Sequence, residues 1–146
     1  MSVVAWDGHT IAADKQATNA SKISLTTKIR RLANGEIIAW VGVAGTGLLV
    51  AEWYAAGADP ALWPESQKSK HDWSWLIVAS ADGVKTYEKY PVAIPCEDRF
   101  MAWGSGCDFA VGAMAAGASA ERAVQIASQF SDGCGCGIDA FTVGVE

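Results

Sequence analysis

Residue 2 of this 146-residue chain is a serine. Its side chain is small enough to permit removal of Met1, which would leave a hydroxyl and a free α-amine on one residue. An α-amine titrates near about 7.7–8.0, so at neutral pH a large fraction can accept the hydroxyl proton, directly or through one water. Hydroxyl and amine together form a nucleophile and base for attack on a carbonyl. Asp14 and Lys28 carry opposite charges and, taken alone, read as an ordinary surface pair. Gly104-Ser105-Gly106 precedes a helical segment, which suits Ser105 as a cap. Cys134 and Cys136 are spaced C-x-C, but no second close pair exists and the other candidate ligands are only His9 and His71. That is a poor zinc set, and neither a metal nor another cofactor is expected.

Short strands joined by tight turns must position these groups. Residues 2–14 hold two apolar runs split by Asp7-Gly8, a strong hairpin signal. A two-residue loop would set Trp6 opposite His9 and Ser2 opposite Ala13, returning Asp14 to the amino terminus. Alternation would then point Ser2 and Asp14 to opposite faces, so a bulge or the strand end must intervene for them to meet. Residues 28–45 form a second hairpin with Asn34-Gly35 as its turn, ended by glycines at 42, 45 and 47. Leu48 to Ala56 follows as a short helix with Leu48, Leu49, Trp53 and Ala56 on its apolar face, stopped by Gly57 and Pro60.

Asp59 to Asp72 is polar, carries two prolines and reads as a long loop. A third hairpin runs from Trp75 through Asp82-Gly83 to Tyr87, and Phe100 to Trp103 is a further strand. Two helices come next, from Cys107 to Gly117 and from Ser119 to Phe130, the second with Ala123, Ile126, Ala127 and Phe130 as its apolar stripe. Ile138 to Val145 is a last strand. Hairpin-built strands with segregated helices argue for an α+β layered domain over a doubly wound parallel sheet.

Composition narrows the function. Lys plus Arg number 11 against 16 Asp plus Glu, a net charge of −5, which is a poor basis for gripping a phosphate backbone, and no nucleic acid is expected. No apolar run reaches the length of a membrane span, and the amino terminus lacks a signal-peptide layout, so the expectation is a cytoplasmic protein with no membrane partner. Four unevenly spaced cysteines read as reduced thiols. Seven tryptophans in a chain only 18% charged suggest surface buried against another subunit, with large core aromatics as the alternative.

Five segments in order, residues 2–14 with Lys15-Gln16-Ala17-Thr18, Lys28-Ile29-Arg30-Arg31-Leu32, Gly42-Val43-Ala44-Gly45-Thr46, Gly104-Ser105-Gly106, and Asp132 through Ile138-Asp139, resemble a proteasome β-type subunit, in particular the bacterial HslV-type peptidase. The resemblance spans nearly the whole chain. It implies one domain over residues 1–146 with the N-terminal-nucleophile hydrolase fold, a four-layer αββα sandwich of two antiparallel sheets between helix layers. Position by position, it implies that Ser2 stands for the family's threonine nucleophile, Asp14 holds the lysine, and Lys28 is the lysine that keeps the α-amine basic but neutral. Gly45 would supply an oxyanion-hole N–H, while Ser105 and Asp132 would orient the amine. Thr18 and Val43 would contact substrate. Cys134 takes the place of a second supporting serine, and residues 57–72 are shorter than the family's helical hairpin.

Function and partners follow from the resemblance: a peptidase assembled with copies of itself into a ring or double ring, acting on peptide or unfolded protein, with an ATP-dependent unfoldase as a candidate partner. A catalytically inactive ring or scaffold, and a hydrolase of small amides, are the competing readings.

Overall fold

The computed structural model describes residues 2–145. Met1, whose removal the expected nucleophile would require, lies outside them. The first hairpin consists of β1 (Val4–Trp6) and β2 (Thr10–Asp14). Its register differs from the expected one: Trp6 pairs with Ile11 and Val4 with Ala13. The turn is longer because the Asp7 carboxylate accepts the N–H groups of His9 (3.1 Å) and Thr10 (2.8 Å), while Asp7 N–H donates to the Thr10 carbonyl. That two-residue slip keeps every side chain on its face and moves Asp14 opposite Val3, so no bulge is needed.

Residues 15–27, for which no strand was expected, form a second hairpin of β3 (Gln16–Asn19) and β4 (Lys22–Leu25), whose outer strand is exposed throughout. Next come β5 (Ile29–Arg31) and β6 (Ile37–Val41) around the expected Asn34-Gly35 turn, with Gly35 at φ +90°. Helix α1 (Ala44–Ala55) starts four residues earlier than expected. Gly45 and Gly47 lie inside it, and a side chain at Gly47 would collide with the Trp40 indole. Its packed face is Gly47, Val50, Ala51 and Trp53, whereas Leu48 and Leu49 are exposed.

Residues 59–72 are two single-turn 3-10 helices and connecting turns rather than plain loop. The third hairpin, β7 (Trp75–Ser80) and β8 (Gly83–Tyr87), is followed by β9 (Ile94–Cys96), an edge strand not anticipated, and by β10 (Met101–Trp103). Helices α2 (Cys107–Ala115) and α3 (Ala120–Phe130) and strand β11 (Ile138–Thr142) complete the chain. Ser119 caps α3 through the Arg122 N–H (3.2 Å), and Asp7 holds its first turn through the Ala120 N–H (2.9 Å). The buried face of α3 is Ala120, Ala123, Val124 and Ala127; Phe130 is exposed and stacks on Phe109 of α2 instead.

Two antiparallel sheets result, β10-β1-β2-β11 and β5-β6-β7-β8-β9. Val4, Trp6, Ile11, Ile29, Ile37 and Ile77 fill the space between them. Helices α2 and α3 cover the outer face of the first sheet with alanines, Val124 and Met114, and α1 covers that of the second through Val50 and Trp53. The layers are thus helices, sheet, sheet, helix, as the αββα expectation required. Four of the seven tryptophans, Trp6, Trp40, Trp53 and Trp103, are buried within the chain, as the core-aromatic alternative has it, and Trp63, Trp73 and Trp75 are half-buried; Trp53 lies edge-on to Trp63 and Tyr87. The large apolar side chains left at the surface include Leu48, Leu49, Phe109 and Phe130.

Candidate active site

Asp14, at the end of β2, is completely buried. Lys28 Nζ donates to its Oδ1 at 2.7 Å. The Val3 N–H donates to the same oxygen (3.0 Å), and the N–H groups of Gln16 (3.2 Å) and Gly135 (3.0 Å) donate to Oδ2. Four donors from four chain segments replace the water this carboxylate gave up, which is the condition under which a buried ion pair is tolerated. The register of the first hairpin is responsible, because it sets Asp14 against Val3 with a further bond from Asp14 N–H to the Val3 carbonyl (3.2 Å).

Ser2 is buried and is held from the other side. Its N–H donates to Ser105 Oγ (3.2 Å), and its carbonyl accepts the Gly106 N–H (3.2 Å) and lies 3.4 Å from Ser105 Oγ. Gly104, at φ +99°, packs directly on the Ser2 carbonyl, so a Cβ there would run into it. Gly104→Ala is therefore expected to cost about 1–3 kcal/mol for the left-handed backbone and a further clash penalty. Gly57, at φ +118° in open space, should pay only the backbone part. Comparing the two alanine variants in urea melts isolates the clash, and equal losses would show that Gly104 does not press on Ser2.

Ser2, Thr18, Lys28, Val43 and Gly45 line one cavity of about 810 Å3, with Trp40 and Leu48 on its apolar side. Gly45 lies in the first turn of α1, where helical N–H groups have no partner within the helix and the dipole is positive. Residues that sequence reasoning passed over buttress that turn. The Val43 carbonyl accepts from Ser74 Oγ (2.8 Å) and Thr46 Oγ1 (3.1 Å), and the two hydroxyls lie 2.6 Å apart. Gln67, fully buried, grips Ser74 in turn: its Nε2 donates to the Ser74 carbonyl (2.7 Å) and its Oε1 accepts the Ser74 N–H (2.9 Å). Nothing in the polar stretch after Pro64 marks Gln67 out; only its burial does.

Asp132 is exposed, and its carbonyl rather than its carboxylate joins the network, accepting from Gln16 Nε2 (2.9 Å), which also donates to Thr18 Oγ1 (3.1 Å). Gln16 was given no role, although it lies within the matched segment Lys15-Gln16-Ala17-Thr18. Cys134 is buried, with Sγ 3.7 Å from Ser131 Oγ, and burial pushes its thiol up, so it stays protonated. Cys136 turns away toward Gln16 Oε1 (3.9 Å). The two thiols serve different neighbours.

No family model matches the sequence, and no curated protein matches it either. Solved structures do. BPH of Thiobacillus denitrificans in complex with epoxomicin superposes with a TM-score of 0.71 at 19% identity, over 97% of each chain. BPH of the same organism gives 0.72 at 18% identity, over 97% of this chain and 96% of that one. HslV from Trypanosoma brucei gives 0.69 at 21% identity, over 97% and 98%. The chain has the HslV-type fold. Within that fold, Lys28 and the start of α1 line the same cavity as Ser2, and Ser105 accepts the Ser2 N–H.

Proposed function

We propose that this chain is an N-terminal-nucleophile peptidase, working in the cytoplasm as one subunit of a ring or double ring of identical copies. The observation that carries the reading is a single cavity in which the residue that would become the amino terminus, Ser2, meets Lys28 and the free first turn of α1 at Gly45. The HslV-type fold supports it, and exposed Leu49, Phe109 and Phe130 suit an assembling surface. Among the described residues, no helix is long and apolar enough to cross a membrane.

Once Met1 is gone, Ser2 Oγ attacks the peptide carbonyl while its proton passes to the Ser2 α-amine, directly or through a water. The Lys28 cation disfavours a second positive charge nearby and so keeps that amine neutral and able to accept. Charge developing on the carbonyl oxygen is met by the Gly45 N–H. As the C–N bond breaks, the proton moves from the α-ammonium to the leaving amine, and an acyl ester remains on Ser2. Water then attacks this ester, gives its proton to the amine, and the proton returns to Ser2 Oγ as the C–O bond breaks. Val43 and Trp40 suit an apolar side chain before the cut, and Thr18 borders the path of the substrate backbone. Peptides and unfolded proteins are the substrates such a chamber admits, and an ATP-dependent unfoldase is the partner that would extend it to folded ones.

Labelling with an electrophilic peptide inhibitor tests this. Epoxomicin, the molecule bound in one of the similar structures, is a ready second probe. Protein purified from cells should have lost the mass of one methionine, and the adduct should map to Ser2. Full retention of Met1, or an adduct on any other residue, would overturn the proposal and favour a non-catalytic shell.

A further inference from the structure

Helix α1 begins at an N-cap, Val43, whose side chain makes no capping bond to the first turn. A Ser, Thr or Asp at that position would occupy one of the turn's N–H groups. Val43 leaves them free at Gly45, which lines the Ser2 cavity. Gly45 supplies no restraint of its own: a Cβ there would meet nothing within 4 Å, and glycine has the widest choice of backbone conformation. The direction of the Gly45 N–H is therefore set by its neighbours.

The handle is the Val43 carbonyl. It accepts the first backbone bond of the helix, from the Gly47 N–H (2.9 Å). Ser74 Oγ (2.8 Å) and Thr46 Oγ1 (3.1 Å) also lie within bonding distance of it, and the two hydroxyl oxygens are 2.6 Å apart. Three contacts share two hydroxyl protons, so one contact goes without. The shorter contacts give the Ser74 proton to the Val43 carbonyl and the Thr46 proton to Ser74 Oγ. Both lone pairs of that carbonyl are then used, by Gly47 and Ser74, and the planar peptide bond carries its orientation on to Ala44, the residue before Gly45.

Ser74 is itself held from two sides. A side chain at Gly42 (φ +124°) would come within 2.8 Å of Ser74 Oγ and 3.0 Å of its Cα, so the backbone there rests directly on it. On the other side Gln67 Nε2 donates to the carbonyls of Ser74 and Glu88 (both 2.7 Å), and its Oε1 accepts the Ser74 N–H (2.9 Å). Ser74 and Gln67 are both fully buried, so water does not compete for these bonds. A continuous run of hydrogen bonds thus leads from Glu88 through Gln67 and Ser74 to the carbonyl that starts α1.

We infer that Ser74, locked by Gln67, is the positioning residue for the oxyanion-binding turn: its hydroxyl fixes the Val43 carbonyl and through it aims the Gly45 N–H. This rests on the peptidase reading above. A donor aimed before the reaction begins needs no reorganisation as charge develops, so misaiming it lowers kcat more than it raises KM.

The test is steady-state cleavage by the full-length, assembled protein, beside binding of a peptide aldehyde and of the matching peptide alcohol. The aldehyde carbon bonds to Ser2 Oγ and the hydroxyl proton ends on the aldehyde oxygen, which occupies the oxyanion position; the alcohol makes no such bond. Ser74→Ala should lower kcat by about ten- to hundredfold and change KM by less than about threefold. It should weaken the aldehyde at least about tenfold and the alcohol less than about twofold. Thr46→Val keeps the Ser74 bond to Val43, and its loss of kcat should be at least about threefold smaller. Ser119→Ala, which removes the cap of α3, controls for a general loss of stability and should leave kcat unchanged. Ser74→Cys, close in size with a weaker donor, should lose about three- to tenfold in kcat, and it carries the test if the alanine variant does not fold. Wild-type kcat in the alanine or cysteine variant would overturn the inference, as would equal weakening of aldehyde and alcohol, or a fall in kcat matched by Ser119→Ala. Wild-type protein that neither cleaves peptide nor takes the aldehyde on Ser2 would overturn the peptidase reading, and this inference with it.

Discussion

Ser2→Ala should reduce cleavage of a peptide substrate by about 10^4-fold or more, because it removes the atom that attacks and leaves the α-amine with no proton to accept. Fold and assembly should survive. Ser2 Oγ makes no hydrogen bond to a described residue, and Ser2 is held through its N–H and carbonyl by Ser105 and Gly106, so the lost hydroxyl should cost less than about 1 kcal/mol. Thermal melting and size-exclusion chromatography check those two points beside the turnover assay. Undiminished turnover by the alanine variant would sink the mechanism. A Ser2→Thr variant gives the complementary test, since the added methyl restricts the hydroxyl rotamer; it should retain cleavage or improve it.

Breaking the buried ion pair is the second large effect. Lys28→Met removes the one cation bonded to Asp14 and leaves a fully buried carboxylate with only the N–H groups of Val3, Gln16 and Gly135. An uncompensated buried charge costs about 3–5 kcal/mol, and that is the expected loss in a urea melt. Pairing it with Asp14→Asn removes the orphaned charge, so the double variant should be more stable than Lys28→Met alone. The pH profile carries a separate signature. Without the Lys28 cation the α-ammonium forms more readily, its pKa rises, and the acid limb of kcat/KM moves to higher pH in whatever enzyme remains folded. A stability loss below about 1 kcal/mol would mean that Lys28 and Asp14 are not the desolvated pair the geometry describes.

How much of this was legible beforehand depended on how local the signal was. Asp7-Gly8, Asn34-Gly35 and Asp82-Gly83 each mark a hairpin because left-handed or tight-turn backbone has few suitable residues, and all three hairpins are present. Exact register was less accessible. It turned on whether the Asp7 carboxylate would bond backbone two and three residues on, a choice that composition does not record. The start of α1 was misplaced because Gly45 and Gly47 oppose helix locally, while close packing of Gly47 against Trp40 overrides that preference. Hairpin β3–β4 escaped notice because an exposed strand has no burial pattern to read. In the candidate site, Ser2, Lys28 and Gly45, singled out by motif, line one cavity, and Asp14 is bonded to Lys28. Gln67 and Ser74 matter through burial and their bonds to each other and to Val43, which no short motif encodes.

The four donors that hold Asp14 come from residues 3, 16, 28 and 135. The first three of these lie within 26 residues of one another, while the fourth is more than a hundred residues further along the chain. Contacts of such long sequence separation form late in folding, after the loops they close have been brought together. A chain truncated before residue 135 lacks the Gly135 N–H that completes the set of donors around Asp14. Closure of the pocket around Asp14 therefore waits on docking of the turn at Gly135, and topology makes the burial of this charge one of the last events of folding.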